Sequence, residues 1–283
     1  MVKCKTITIS RQSVNLYLKM DLLTPAHDQH KPYELATMPV TGMRADYANG
    51  WLIPPHSHCR AQLLYAIRGV MAIDADHGRW IVPPTRGVWI KQGELHSVKM
   101  HGDVSMHTLF IDADAAAGLP TSTCVLDIQP LMKALIVEIA QAGLSYAQDS
   151  REARIAQLIL DEIQLYPALP FHLPWPSSPR LKQVCEQMTQ QLDDARPSQA
   201  WALQLGISDK SLHRHFKQET GITFGQWREQ ARMLKAVEAI AQGHKLLHVA
   251  LSVGYQSQSA FSAVFKKHFG LSPSAYYQNL PAK

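Results

Sequence analysis

The sequence predicts an α+β chain in which a small antiparallel β-barrel precedes a helical linker and an all-α portion with two helix-turn-helix units. Three observations carry that prediction. From Trp51 to Asp112, short apolar runs (QLLYAIRG, VMAID, RWIVPP, GVWIKQG, HSVKM, SMHTLFID) are punctuated by Pro, Gly and the turn Asp76-His77-Gly78, the pattern of closely spaced strands that close on themselves. From Asp127 to Tyr166 the apolar period becomes helical. From Ala202 onward one helical unit is written twice: Ala202, Gly206, Leu212, Phe216, Lys217 and Gly221 correspond to Ala250, Gly254, Phe261, Phe265, Lys266 and Gly270, offset by 48 residues before the turn and 49 after it. Such self-similarity marks two copies of one supersecondary unit. The implied division is 1–126 for the barrel, 127–179 for the helical segment and its connection, and 180–283 for the repeated unit.

A chain of 283 residues with 46% apolar content supplies cores for about two domains. The net charge of +5 is unevenly placed: from Arg180 onward there are 13 Lys and Arg against 7 Asp and Glu, and before it 15 against 16. A basic last third fits an anionic partner, and nucleic acid is the usual one. Cys4, Cys59, Cys124 and Cys185 follow no CxxC spacing and read as reduced thiols of a cytoplasmic protein. The first twenty residues lack the apolar core of a secretion signal, and no run of about 18 apolar residues occurs, so no membrane partner is expected.

In the second copy, Phe261, Val264, Phe265 and His268 recur at helical spacing and form the buried stripe. Ser259, Ser262, Ala263 and Lys266 face the other way, with Gln256 and Gln258 just ahead of them. In the first copy, Leu212 and Phe216 anchor the helix and leave Lys210, His213, Arg214, Lys217 and Gln218 outward, with Ser208 or Asp209 as the cap and Ser211 a further candidate DNA contact. Small hydroxyls and basic groups on a free helix face suit the major groove: Arg214 is placed to bridge a guanine edge, while Lys210, Lys217 and Lys266 are placed to meet phosphates. The run GYQSQSAFSAVFKKHFGLSPSAYY resembles the C-terminal hallmark of AraC-type transcription regulators, with the doubled unit spanning about Arg180 to Tyr277. That resemblance implies seven helices, two recognition helices in successive major grooves of double-stranded DNA, and one long helix between them, here Phe224 to Ala241. At 1.5 Å per residue that helix would span about 27 Å, commensurate with one DNA turn of about 34 Å.

Within the barrel, Gly50-x5-His56-x-His58-x3-Gln62-x6-Gly69 resembles the first cupin motif, with Gln62 where that family usually has Glu. Gly93-x2-His96 matches part of the second, although Lys91 and Met100 replace its Pro and Asn. On strands, His56, His58 and Gln62 share one face and His96 arrives from a facing strand. Three imidazoles and an amide suit zinc, nickel or ferrous iron; the alternative is a hydrogen-bonded histidine cluster in an organic-effector pocket. Trp51, Trp80, Trp89 and Tyr65 are candidates to line that pocket or to form plain core, and His77, His101 and His107 are expected in loops or on strand surfaces.

Ile128, Leu131, Leu135 and Ile139 make one helical stripe, and Ile155, Leu158, Ile159, Ile163 and Tyr166 another. The resemblance implies that these helices pair two subunits into a homodimer; alternatively they pack back on the barrel. Five prolines from Pro167 to Pro179 then read as a semi-rigid linker. Together these features predict a transcription regulator controlled by a small ligand or a divalent metal. The pattern HSHCRAQLLYAIRGVM followed by PPTRGVWIKQGELH looks like the subgroup of short AraC-type regulators that includes repressors of neighbouring transporter genes and of iron-protein genes, and the regulation expected here is repression of neighbouring transporter or metabolic genes. The rival reading is a metal-dependent cupin enzyme with an accessory helical domain, against which stand the missing Glu and the lack of an acid/base partner.

Overall fold

The computed structural model describes residues 29–84, 86–166 and 172–278. The expected strand VNLYL, Cys4 and two of the linker prolines, Pro167 and Pro170, lie outside them. Chain order is α1 (Lys31–Leu35), β1 (Val40–Tyr47), β2 (Leu52–His56), β3 (Ala61–Ala75), β4 (Gly78–Val82), β5 (Arg86–Ile90), β6 (His96–Ile111), β7 (Cys124–Asp127), α2 (Pro130–Ile139), α3 (Arg151–Leu165), β8 (His172–Pro174), then α4 (Pro179–Gln190), α5 (Ser198–Leu205), α6 (Asp209–Thr220), α7 (Phe224–Ala241), α8 (Leu246–Ser252), α9 (Gln258–Phe269) and α10 (Pro273–Gln278).

The strands form one antiparallel sheet in the order β1-β6-β3-β4-β8, with β2 also on β6 and β5 bridging β3 to β7. Its frame is the pair β3 and β6, which are 15 and 16 residues long. Here the structure differs from the sequence pattern, which broke each of these strands in two at Gly69 and Gly102. Both glycines hold positive φ, at 79° and 74°, inside continuous strands. A Cβ at Gly69 would stand 2.5 Å from the Asp103 carbonyl oxygen, so only glycine fits, and the pairing of β3 with β6 shifts register around it.

That bulge changes which residues of β3 face inward. Before it, Leu64 and Ala66 join the barrel interior with Met43, Val98 and Phe110, while Leu63 and Tyr65 point outward beneath α2 and α3. Beyond it, Met71 and Ile73 take the interior, and Val70 and Ala72 face the C-terminal helices. One strand thereby serves three cores, because a single extra residue reverses a period of two.

Helices α2 and α3 pack on each other and back on the barrel through Met132, Leu135, Ile136, Ile139, Ile155, Ile159 and Ile163. Two expected stripe positions are corrected: Leu131 is 49% and Leu158 38% exposed, and Met132, Ile136, Ala156 and Leu160 are buried in the helices instead. The barrel beneath already fixes the buried arc. Of the proline-rich segment, His172–Pro174 is no free linker but an edge strand on β4, and the Pro174 carbonyl accepts the Trp227 indole N–H at 2.7 Å.

Seven described helices follow Ser178, the number that the resemblance implied. The two copies share one grammar of caps. Ser208 and Ser257 accept from the backbone N–H of Ser211 and Ala260, and Gly221 and Gly270 end α6 and α9 with φ of 77° and 76°. Helix α7 occupies the expected Phe224–Ala241 and opens with a reciprocal Thr223–Gln226 capping box. Its Ala236, Val237 and Ile240 belong to the core that also holds Val70, Ala72 and Ile81 of the barrel.

Candidate sensing site and DNA-binding faces

The barrel cavity, about 200 Å³, is lined by His56, His58, Gln62 and His96 together with Met43, Tyr47, Trp51, Leu64, Val98 and Met106. His56 ends β2, His96 opens β6 directly opposite it, Gln62 is the second residue of β3, and His58 stands in the turn between β2 and β3 rather than on a strand. The three imidazole centroids lie 4.4 to 5.2 Å apart, and one ring nitrogen of each falls within 4.8 Å of the others.

Each ring is oriented through its Nδ1–H. His56 donates to the Pro54 carbonyl at 2.8 Å, His96 to the Glu94 carbonyl at 2.9 Å and His58 to the Glu34 carboxylate at 2.7 Å. Acceptors that carry no proton leave the hydrogen on Nδ1 and the lone pair on Nε2. His58 Nε2, His96 Nε2 and Gln62 Oε1 are buried and have no hydrogen-bond partner among the described residues. Buried acceptors without donors are costly, and a divalent cation would satisfy all three at once. Burial, with a smaller push from the neighbouring histidines, lowers His96 to about 3, so it stays neutral, as a ligand must. The residues fit a metal ion.

Sequence reasoning missed His30 and Glu34, which come from the turn-rich stretch before β1. His30 stacks edge-on to His58 at 4.8 Å, and with Glu34 and His58 it forms a second grouping of donors. No local spacing announces a contact 24 residues away. Of the four aromatic candidates Trp51 lines the cavity and the other three are core: Trp89 lies under α2 and α3 with its N–H on the Pro120 carbonyl, the Tyr65 hydroxyl is on the Pro84 carbonyl, and Trp80 packs in the interior cluster. His77 is exposed as expected, but His101 and His107 are 5% and 4% exposed. His101 is covered because α7 lies over β6, where the Gln242 side-chain amide reaches its Nδ1 at 2.9 Å and Glu238 stands at 3.7 Å.

His101, His107 and His172 are all lowered below the ordinary histidine range, chiefly by burial. The unfolded chain therefore binds more protons than the folded one below about pH 6.5, and stability must fall as pH drops through that value. In thermal unfolding with chelator present, the midpoint should decline steadily from pH 7 to pH 5. A flat profile would contradict these burials.

On the helical side, Lys210, His213, Arg214 and Lys217 are exposed on α6, and Gln256, Gln258, Ser259 and Lys266 are exposed on or just before α9. Ser211 and Ser262 are half-buried, and the Ser211 hydroxyl is engaged by the capping Ser208 at 2.9 Å. The His213 ring reaches Ser198 Oγ and the Arg214 guanidinium reaches the His215 ring, each at 3.2 Å. Leu212, Phe216, Phe261 and Phe265 are fully buried, whereas Val264 and His268 are half-buried and His268 reaches Glu229 at 2.9 Å.

A barrel enclosing a ligand-sized cavity, joined to two helix-turn-helix units, defines a ligand-binding transcription regulator that acts on DNA. Residues 39–206 match the family model described as AraC-like ligand binding domain, and residues 201–279 one described as helix-turn-helix domain. The chain is 32% identical over 227 residues to the HTH-type transcriptional regulator NimR of Escherichia coli K12, covering 80% of this chain and 83% of that protein. It is 26% identical to the HTH-type transcriptional activator RhaR of Pectobacterium atrosepticum, over 67% of this chain and 61% of the other. Among solved structures, ToxT from Vibrio cholerae O395 aligns over 87% of this chain and 99% of its own, at a TM-score of 0.38 and 11% identity. The chain belongs to the AraC family of transcription regulators. These relatives are regulators, not enzymes, which sets aside the reading as a cupin enzyme. No described helix is long and apolar enough to cross a membrane.

Proposed function

We propose that this regulator is a cytoplasmic homodimer that represses neighbouring transporter or metabolic genes, under control of a divalent metal held by His56, His58, His96 and Gln62. The observation that carries the metal reading is the set of three buried, partnerless acceptors, His58 Nε2, His96 Nε2 and Gln62 Oε1, around one cavity. Bound there, the ion would supply charge and fixed coordination to an otherwise neutral lining. The repressor reading is prompted by the barrel pattern, which looks like a subgroup of short AraC-type regulators that includes repressors; that pattern does not itself fix the sign of regulation. The proposed division stays 1–126, 127–179 and 180–283, and the proposed DNA contacts are Lys210, Ser211, His213, Arg214, Lys217, Gln256, Gln258, Ser259, Ser262 and Lys266.

The homodimer reading is supported by the outward leucines of α2 and α3: Leu131, Leu158 and Leu165 are 49%, 38% and 73% exposed. Leu135, inside the monomer's core, is not part of that surface. Changing Leu158 and Leu165 together to Glu should give a folded monomer in sedimentation, with weakened binding to DNA that carries paired sites. A wild-type monomer at micromolar concentration would refute the assembly. The function as a whole is tested by footprinting the purified protein on DNA upstream of its own gene and of the adjacent genes, with and without zinc, nickel or ferrous iron.

A further inference from the structure

The cupin pattern expects a carboxylate at position 62, and Gln62 offers none. Three imidazoles and an amide around a divalent ion would leave both of its charges unbalanced. The structure supplies a carboxylate from elsewhere. Glu34 Oε1 accepts the His58 Nδ1–H at 2.7 Å and is 3.1 Å from His30 Nε2, while Oε2 accepts the Cys59 backbone N–H at 3.2 Å.

We propose that Glu34 is the positioning carboxylate of the metal site: it fixes His58 in the tautomer that presents Nε2 to the cavity, and so couples metal binding to the docking of helix α1 on the barrel. This rests on the metal reading above. A histidine that ligates through one nitrogen and donates its other N–H to a carboxylate is held in place and made more basic, and the ion in turn strengthens that N–H as a donor. The bond between His58 and Glu34 is therefore stronger with metal present.

Helix α1 is joined to the site by that bond. It has five residues, none of them buried, so its own apolar burial holds it only weakly. Its other contacts include Thr41 Oγ1 donating to the Tyr33 carbonyl at 2.9 Å, the Arg60 guanidinium on the Ala36 carbonyl, and the Tyr33 ring stacked on Phe110 at 6.4 Å, itself edge-on to His58. The segment entering the helix, Gln29 and His30, walls the cavity. Because coupling is reciprocal, a docked α1 raises metal affinity by the same factor by which metal favours docking. The cavity is then closed over its ion by the chain segment that tunes it.

The test uses the full-length protein and zinc as the probe, with affinity read by chelator competition and docking by hydrogen exchange of the amides in residues 29–36. Glu34→Gln should weaken zinc binding by about 10- to 100-fold, the usual cost of losing such a partner. Adding Gln62→Glu to that variant should recover affinity, which a merely structural loss would not permit. In the wild type, zinc should slow exchange across 29–36, and in Glu34→Gln it should not. A wild type that takes up no zinc, nickel or ferrous iron overturns the metal reading, and this inference with it. If the wild type binds zinc but Glu34→Gln matches it and exchange in 29–36 ignores the metal, this inference alone falls. Wild-type affinity retained by His96→Ala would put the ion among His30, Glu34 and His58, and would likewise overturn the positioning role.

Discussion

His58→Ala is expected to weaken zinc binding by well over about 100-fold, more than the 10- to 100-fold typical of losing a residue behind a ligand. His58 stands at the junction of everything the site uses. Its Nε2 is one of the three partnerless acceptors, its Nδ1–H is tied to Glu34, and its ring lies within 5.2 Å of both other histidines. The variant should fold, because the turn carrying it is anchored separately by Arg60, whose guanidinium reaches the Met38 carbonyl at 2.8 Å. Equal zinc affinity for wild type and His58→Ala in chelator competition would remove the site.

Arg214→Ala is expected to cost about 1 to 3 kcal/mol of specific DNA binding and to relax base preference at one position, the signature of a lost bidentate contact to guanine. Lys266→Ala should behave differently: weaker binding to every sequence, and a salt dependence shallower by about one unit. The contrast follows from placement. Arg214 is exposed at the middle of α6, whose opposite side is pinned by the fully buried Leu212 and Phe216, so the guanidinium is held on a rigid support. Lys266 sits in the last turn of α9, away from the helix start that recognition helices present to base edges. Binding isotherms on specific and scrambled DNA at several salt concentrations separate the two. Unchanged isotherms for both variants would sink the assignment of these faces.

The helical half was legible because its signals are local. Serine caps, terminal glycines and a 3.6-residue period lie within a few positions of what they specify, and the repeat wrote them twice; helix α7 therefore begins and ends where its pattern does. The barrel was legible in kind but not in detail. A glycine inside a strand and a glycine between two strands look alike in sequence, so Gly69 and Gly102 read as breaks although β3 and β6 run through them. Leu131 and Leu158 satisfied helical spacing, yet how wide an arc the barrel covers is a tertiary property, and both remain exposed. His101 read as surface because nothing nearby in the chain announces that α7, more than a hundred residues later, lies over it. The three histidines of the site were found through motif spacing. Glu34 was not, since the bond that gives it a role spans 24 residues and no motif records it.

An ion at His56, His58 and His96 is expected to alter how tightly α6 and α9 hold DNA. A ligand shifts that equilibrium only if it binds the DNA-competent and incompetent forms with different affinity. The most direct measurement is a titration of DNA from upstream of the gene with the purified protein, once freed of metal by chelator and once reloaded with zinc. The two dissociation constants should differ by at least about tenfold, some 1.4 kcal/mol, and His58→Ala should give one constant in both conditions. Superimposable titrations of the metal-free and zinc-loaded wild type would contradict it and leave the ion, if bound, a structural part of the barrel.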